Sequence, residues 1–334
     1  MIEVQEAKRG TRRKKLWQVL KLTLFIIVLI GVSWHGWRLW SAVGDRHTMT
    51  ISLWWLLAAI PVSAVAWLPC ATYWQTVLAS FGFPLPWRQV IRAHCCGQLG
   101  KYAPGKALAL VIRTGLLKGQ APPAAAMLAA FHEPLATMAI GGCLGIGLAA
   151  WLLPSQLLEK WGLTIPDSAA LRYGISLAAA VGCALCLYIL IRLAFQFRKR
   201  LSLVDKISPD LPSLPLTRWL LSLTGLLTFW WLQGLALGLT IAAVTGGKNF
   251  DLRDWPLWTM VTALSMVVGF LAVVAPGGLA IREAVIMELL ASTIGSPQAV
   301  MAALLLRVAG LAGEILTAGV LYYGVSPPQP EPPA

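Results

Sequence analysis

The sequence predicts an all-α polytopic membrane protein of about seven to eight transmembrane helices, with two re-entrant or broken short helices in an internal repeat. Three observations predict it. Of 334 residues, 57% are hydrophobic and 12% are charged, and mean hydropathy is +0.70; soluble domains carry about 25% charge. Apolar runs recur that reach the roughly 20 residues needed to cross a bilayer. Two joints between runs hold a Pro-Gly break beside charged side chains. Such a break frees backbone polar groups, which in hydrocarbon need protein or water around them.

The long apolar runs are 16–40, 51–79, 121–153, 173–193, 219–244, 255–275 and 300–323. The first is too long for a signal-peptide core, and no small-residue cleavage site follows it. It is read as the first helix. Two shorter runs, 103–117 and 278–290, carry charge and fall short of a span; they read as re-entrant or interfacial. Residues 85–98, with Trp87, Arg88 and Arg92, read as an interfacial amphipathic helix. The chain divides into a basic segment (1–15), one transmembrane domain (16–324) and a Pro-rich tail (325–334) expected to be disordered.

Net charge is +13, and its placement says more than its size. Basic residues cluster before the first run, after the second, and at 198–206 after the fourth. The positive-inside rule then puts the N-terminus in the cytoplasm. The same excess attracts anionic lipid head groups, and nucleic acid is not needed to explain it. The six cysteines have neither disulfide nor zinc spacing, and no cofactor is expected. Asp45 and His47 in the first outer loop are a weak hint of lipid-linked glycosyl transfer; solvated loop polarity is the better explanation of them.

Two stretches echo each other. Ala103-Pro104-Gly105-Lys106 leads to Arg113, then to Pro123, Met127 and Glu133. Ala275-Pro276-Gly277-Gly278 leads to Arg282, then to Pro297, Met301 and Arg307. Each unit is a break, a short charged helix and a full span with one buried charge. Paired broken helices in two halves point to a midplane transport site. Strict charge counting makes the units parallel; if one short segment crosses, they are inverted.

The candidate head-group path is Lys101, Lys106, Arg113, Pro276, Gly277, Gly278, Arg282 and Arg307. Arg282 offers a fork of donors to a phosphate, beside free backbone N–H groups at a helix start. Glu133, Glu283, Glu288 and Glu314 would balance charge. Glu133 and Arg307 lie at matching depth and suggest a buried pair, while Glu283 or Glu288 is an alternative partner for Arg307. Glu314 follows Arg307 by seven residues, with Gly310 between them on one helix face. The bland alternatives are register-fixing salt bridges and lysines that snorkel to the interface. Gly141/Gly145 and Gly234/Gly238 are helix-packing signals. No G-x-S-x-G, H-E-x-x-H or Walker A sequence occurs.

These blocks resemble the lysylphosphatidylglycerol synthase transmembrane-region family, also called the flippase-like domain family. The resemblance rests on Gly100-Lys101-Tyr102-Ala103-Pro104-Gly105-Lys106, on the block from Pro276 to Ala284, and on Arg307. It implies a multi-pass bundle of the bacterial inner (plasma) membrane that moves lipids between leaflets. The expected partners are membrane lipids of anionic character and a lipid-biosynthesis enzyme. The chain has no aminoacyl transferase domain, so lipid aminoacylation does not carry over, and no catalytic residue is expected. Two other readings stay open. One is a scaffold that recruits a lipid-synthesis enzyme. The other is a lipid pyrophosphate phosphatase, although Leu279-Ala280-Ile281 stands where such enzymes carry Ser-Arg-Ser.

Overall fold

A computed structural model describes residues 51–102, 107–153, 157, 159, 162, 168–205, 214–272, 278 and 280–325. The described residues are helical throughout, with no strand among them. Six stretches are long and apolar enough to cross a membrane, and they coincide with six of the expected runs; the run at 16–40 lies outside the described residues.

The first described span is built from α1 (Leu53–Val65) and α2 (Trp67–Ser80). They meet at Ala66, close to Pro61 and Pro69, where proline removes a backbone donor. Next comes α3 (Trp87–Gln98), extended by a 3₁₀ turn (Leu99–Tyr102), and then α4 (Ala107–Leu116). The spans α5 (Pro123–Leu152), α6 (Ala169–Asp205) and α7 (Leu216–Thr245) follow. The chain ends with α8 (Trp255–Leu271), α9 (Ile281–Ile294) and α10 (Ser296–Gly324).

Two hairpins occupy the centre. In the first, α3 runs inward and α4 returns beside it. A methyl added at Gly100 would lie 2.5 Å from the Ala109 amide nitrogen, so the backbones touch; glycine is what permits the approach. In the second, α8 runs inward and α9 returns, with Gly269 packed against Gly278 and the stem of Arg282. The first arms are each about 25 Å long, from 1.5 Å per α-helical and 2.0 Å per 3₁₀ residue. Although α8 meets the length and apolarity of a span, it stops beside the middle of α5, with Leu264 against Gly145 and Val267 near Gly142. Its return through α9 brings the chain back to the face it left.

This arrangement settles the sense of the repeat. Along α10, Lys101 meets Glu314, Cys96 faces Ala318 and Arg92 lies over Tyr322. So α3 runs antiparallel to α10, starting from the face where α10 ends, here called the first face. On the other side, α8 runs antiparallel to α5 and starts from the second face, where α5 ends. The units α2–α5 and α7–α10 are therefore inverted, not parallel as strict charge counting implies. Counting fails because α8 is apolar enough for a crossing, yet α9 returns beside it. Matching contacts support the inversion: α3 packs on α10 as α8 packs on α5, and α2 meets α7.

The structure also corrects the reading of 85–98. In α3, every residue from Val90 to Gln98 is buried, His94 at 0% exposure. From Val90 on it is enclosed by protein, while Trp87 and Arg88 at its start stay exposed. By contrast α6 has none of its span buried, and it packs chiefly on α5, with Trp151 Nε1 donating to Ser176 Oγ at 3.0 Å. The main core gathers Tyr73, Trp74, Phe229 and Trp230 where α2, α5 and α7 converge. Both glycine pairs serve packing: Gly141 lies against Trp230 and Gly145 against Leu264, while Gly234 and Gly238 admit Thr259 and Trp258.

Two predictions follow from this geometry. Lys118→Cys, in the α4–α5 loop, and Ser296→Cys, at the α9–α10 joint, should react with a membrane-impermeant maleimide from opposite faces; labelling from one common face would mean parallel units. Gly234→Ala places a methyl 2.6 Å from Thr259 Cα and should destabilise the bundle by about 1–3 kcal/mol, seen as a lower thermal midpoint in detergent.

Candidate functional site: a charged cavity between two hairpin tips

The inner ends of the described arms of both hairpins line one cavity of about 460 Å³. Its wall is mostly apolar, with Trp67, Phe131, Met266 and Phe270 among the lining side chains. Into this wall project Lys101, Arg113, Arg282 and Arg307, together with Glu133, Glu283 and Glu314. Charges in such surroundings persist only when paired or solvated, so the pairing decides what the cavity can do.

Three ion pairs line the cavity among the described residues. Arg113 Nη1 donates to Glu133 Oε2 at 2.8 Å, with both side chains nearly excluded from solvent. Thr137 Oγ1 lies 3.2 Å from the other Glu133 oxygen, and His94 Nε2 lies 3.6 Å from Oε2. The Thr137 carbonyl accepts from Trp230 Nε1 at 3.0 Å, which ties this cluster to the core. Arg307 grips Glu283 with two nitrogens: Nε meets Oε1, and Nη2 donates to Oε2 at 3.3 Å. Lys101 meets Glu314 Oε1 and also lies 4.6 Å from the centroid of the Trp67 ring.

Glu133 and Arg307, which depth alone suggested as a pair, do not meet; each pairs with the short helix of its own unit. The reason is the hairpin. It folds α4 back along α5 and α9 back along α10, so Arg113 reaches Glu133 and Glu283 reaches Arg307 before the two spans come close. The polarity is reversed between units. In the first, the hairpin supplies the arginine and the span the glutamate; in the second, the hairpin supplies the glutamate and the span the arginine.

Arg282 is the remaining cation. It makes no ion pair or hydrogen bond among the described residues, although Glu283 and Glu314 lie near enough to act on it through space. Its stem packs against Gly269 and Gly278: a methyl added at Gly269 would fall 2.5 Å from Arg282 Cγ. Arg282 also sits in the first turn of α9, where Ile281, Arg282 and Glu283 have no backbone acceptor within the helix. The helix dipole adds positive potential there. Just before it, Ala280 takes φ +67°, a left-handed conformation that costs a residue with a side chain about 1–3 kcal/mol. The turn thus spends stability to aim the start of α9 at the cavity.

Most of the expected site converges here. Lys101, Arg113, Gly278, Arg282 and Arg307 line the cavity, as do Glu133, Glu283 and Glu314, with Gly310 between Arg307 and Glu314. Glu288 is not among the lining residues, and it has partners of its own. Lys106, Pro276 and Gly277 lie outside the described residues. Sequence reasoning missed His94, Gln98, Tyr102 and Thr137. It also missed Gly97, which admits the stem of Arg113 as Gly269 admits that of Arg282. A signal for it exists: Gly97 stands six residues before Ala103, and Gly269 six before Ala275.

The Arg113–Glu133 pair can be tested through stability. Glu133→Ala leaves a buried guanidinium unpaired and should cost about 3–5 kcal/mol. The double variant Arg113→Met/Glu133→Leu removes both charges and should return the thermal midpoint close to that of the parent. A double variant as unstable as the single one would show that packing, not charge, is at stake.

The family model for the lysylphosphatidylglycerol synthase TM region matches residues 18–316. No curated protein matches the chain. The matched stretch includes both hairpins, all three ion pairs and Arg282. This multi-pass membrane protein therefore belongs to the lysylphosphatidylglycerol synthase TM region family.

Proposed function

We propose that the protein is a lipid translocase. It moves an anionic phospholipid or a polyprenyl-phosphate-linked lipid between the leaflets of the bacterial inner membrane. The observation that carries this reading is Arg282: a guanidinium without a hydrogen-bonding partner among the described residues, at a helix start, in a cavity where the other lining charges are paired. A phosphate oxyanion would supply the missing acceptor and accept from the free N–H groups of α9 as well. The cavity lies at mid-depth, where two half-length hairpins meet from opposite faces. A head group there is shielded from hydrocarbon, and the apolar wall suits the part of the lipid nearest the glycerol or isoprenoid. Orientation follows from charge. Arg88 and Lys118 lie at the first face, and α6 ends there with Arg198, Lys199 and Arg200; by the positive-inside rule this face is cytoplasmic.

The test is transbilayer movement of a fluorescent anionic phospholipid in liposomes holding the purified protein. The parent should accelerate movement over empty liposomes. Arg282→Ala should abolish the acceleration with folding intact. Arg282→Lys keeps the charge but loses the fork, and should retain only part of it. Normal movement in Arg282→Ala would remove the site assignment. No movement in the parent with either a phospholipid or a polyprenyl phosphate would remove the translocase reading, leaving a scaffold for a lipid-synthesis enzyme.

A further inference from the structure

Two of the three ion pairs act within a unit: Arg113–Glu133 and Glu283–Arg307 each hold a hairpin to the span that follows it. Lys101–Glu314 is different. It joins the tip of the first hairpin to α10, which belongs to the second unit. Along α10, Glu314 is the lining residue nearest the first face. Beyond it, Cys96 faces Ala318 and Arg92 lies over Tyr322, so α3 and α10 are in contact from the pair toward that face.

The repeat supplies an internal control. Lys101 stands two residues before Ala103, and Val273 two before Ala275; Glu314 stands 17 residues after Pro297, and Ile140 17 after Pro123. The second unit thus has a valine where the first has the lysine, and α5 has a buried isoleucine where α10 has the glutamate. The inverted fold repeats the contact of hairpin on span, but the charge pair exists on one side only.

The chemistry of the pair differs too. Arginine holds a carboxylate with a rigid fork, whereas lysine is a single point charge on a flexible stem. Glu314 Oε1 takes Lys101, and its Oε2 is buried without a hydrogen-bond partner among the described residues. The same Lys101 ammonium lies over the face of Trp67, so the ring and the carboxylate share it. Arg307 thus holds its carboxylate through two nitrogens, whereas Lys101 holds Glu314 through one.

We propose that Lys101–Glu314 is a one-sided ionic latch that closes the cavity toward the first face. The inference goes beyond the translocase reading and does not depend on it, because its test reads access and not lipid movement. Gly310→Cys supplies the reporter. Gly310 lines the cavity one turn from Glu314, on its inner side, and a side chain there meets nothing within 4 Å. The labelling rate with a membrane-impermeant maleimide is measured from each face in oriented vesicles. The parent without Gly310→Cys gives the background of the native thiols. Lys101→Met or Glu314→Gln should raise labelling from the first face about tenfold, the change that about 1.4 kcal/mol of lost closing free energy produces, and leave the second-face rate unchanged. The exchange Lys101→Glu/Glu314→Lys should restore slow labelling. If Lys101→Met does not fold, Glu314→Gln, uncharged and of the same shape, carries the test. An unchanged first-face rate, or an equal rise from both faces, overturns the latch; lost lipid movement with latched access intact would instead count against the translocase alone.

Discussion

A helix that breaks inside a membrane leaves backbone N–H and C=O groups that hydrocarbon cannot satisfy. That constraint organises this molecule. Both hairpins are enclosed by longer helices, with α3 and α4 packed among α2, α5 and α10, and α8 and α9 among α5, α7 and α10. Because each tip must lie inside, the two tips meet, and the space between them becomes the cavity. Charges concentrate there for the same reason: it is the part of the bundle where polar groups are already present and water can be admitted.

Within that space, the ion pairs divide the work. The arginine pairs fix each hairpin to its own unit, so the units can act as rigid bodies. The lysine pair and Arg282 lie between the units, where rearrangement has consequences. A site at the junction of two inverted units is open to either face by a small change in their relation. The structural asymmetry is confined to a few side chains, while the backbone arrangement repeats.

The bundle, its broken segments and most of the lining charges were legible in the sequence, because length, hydropathy and Pro-Gly breaks report directly on what a bilayer tolerates. The misreadings share one cause. Residues 85–98 are too polar for a span, and a short polar helix at a membrane is ordinarily interfacial; here the hairpin carries it inward, where His94 meets Glu133 of α5 and Gln98 of its own helix. Residues 255–271 are apolar enough for a span but form one arm of a hairpin. Depth along a helix suggested Glu133 with Arg307, but partners are set by which helices fold back together. Hydropathy records how each segment meets lipid and says little about a segment that meets other helices. Gly97 and Gly269 were open to the repeat alignment, yet as single glycines in helical runs they carried no chemistry until the arginine stems lay against them.

The reversed polarity of the two arginine pairs bears on how such a chain changes by descent. If the halves arose from one duplicated unit, their pairs once had the same sense. Exchanging one residue at a time would set two arginines, or two glutamates, against each other in a buried site, a state strongly penalised. A passable route runs through neutral residues at both positions. The present arrangement is thus hard to reverse by single substitutions, and the two halves have ceased to be interchangeable parts: a chain made of two copies of the first would have two hairpins bearing arginine and no counterpart of Arg307 facing them.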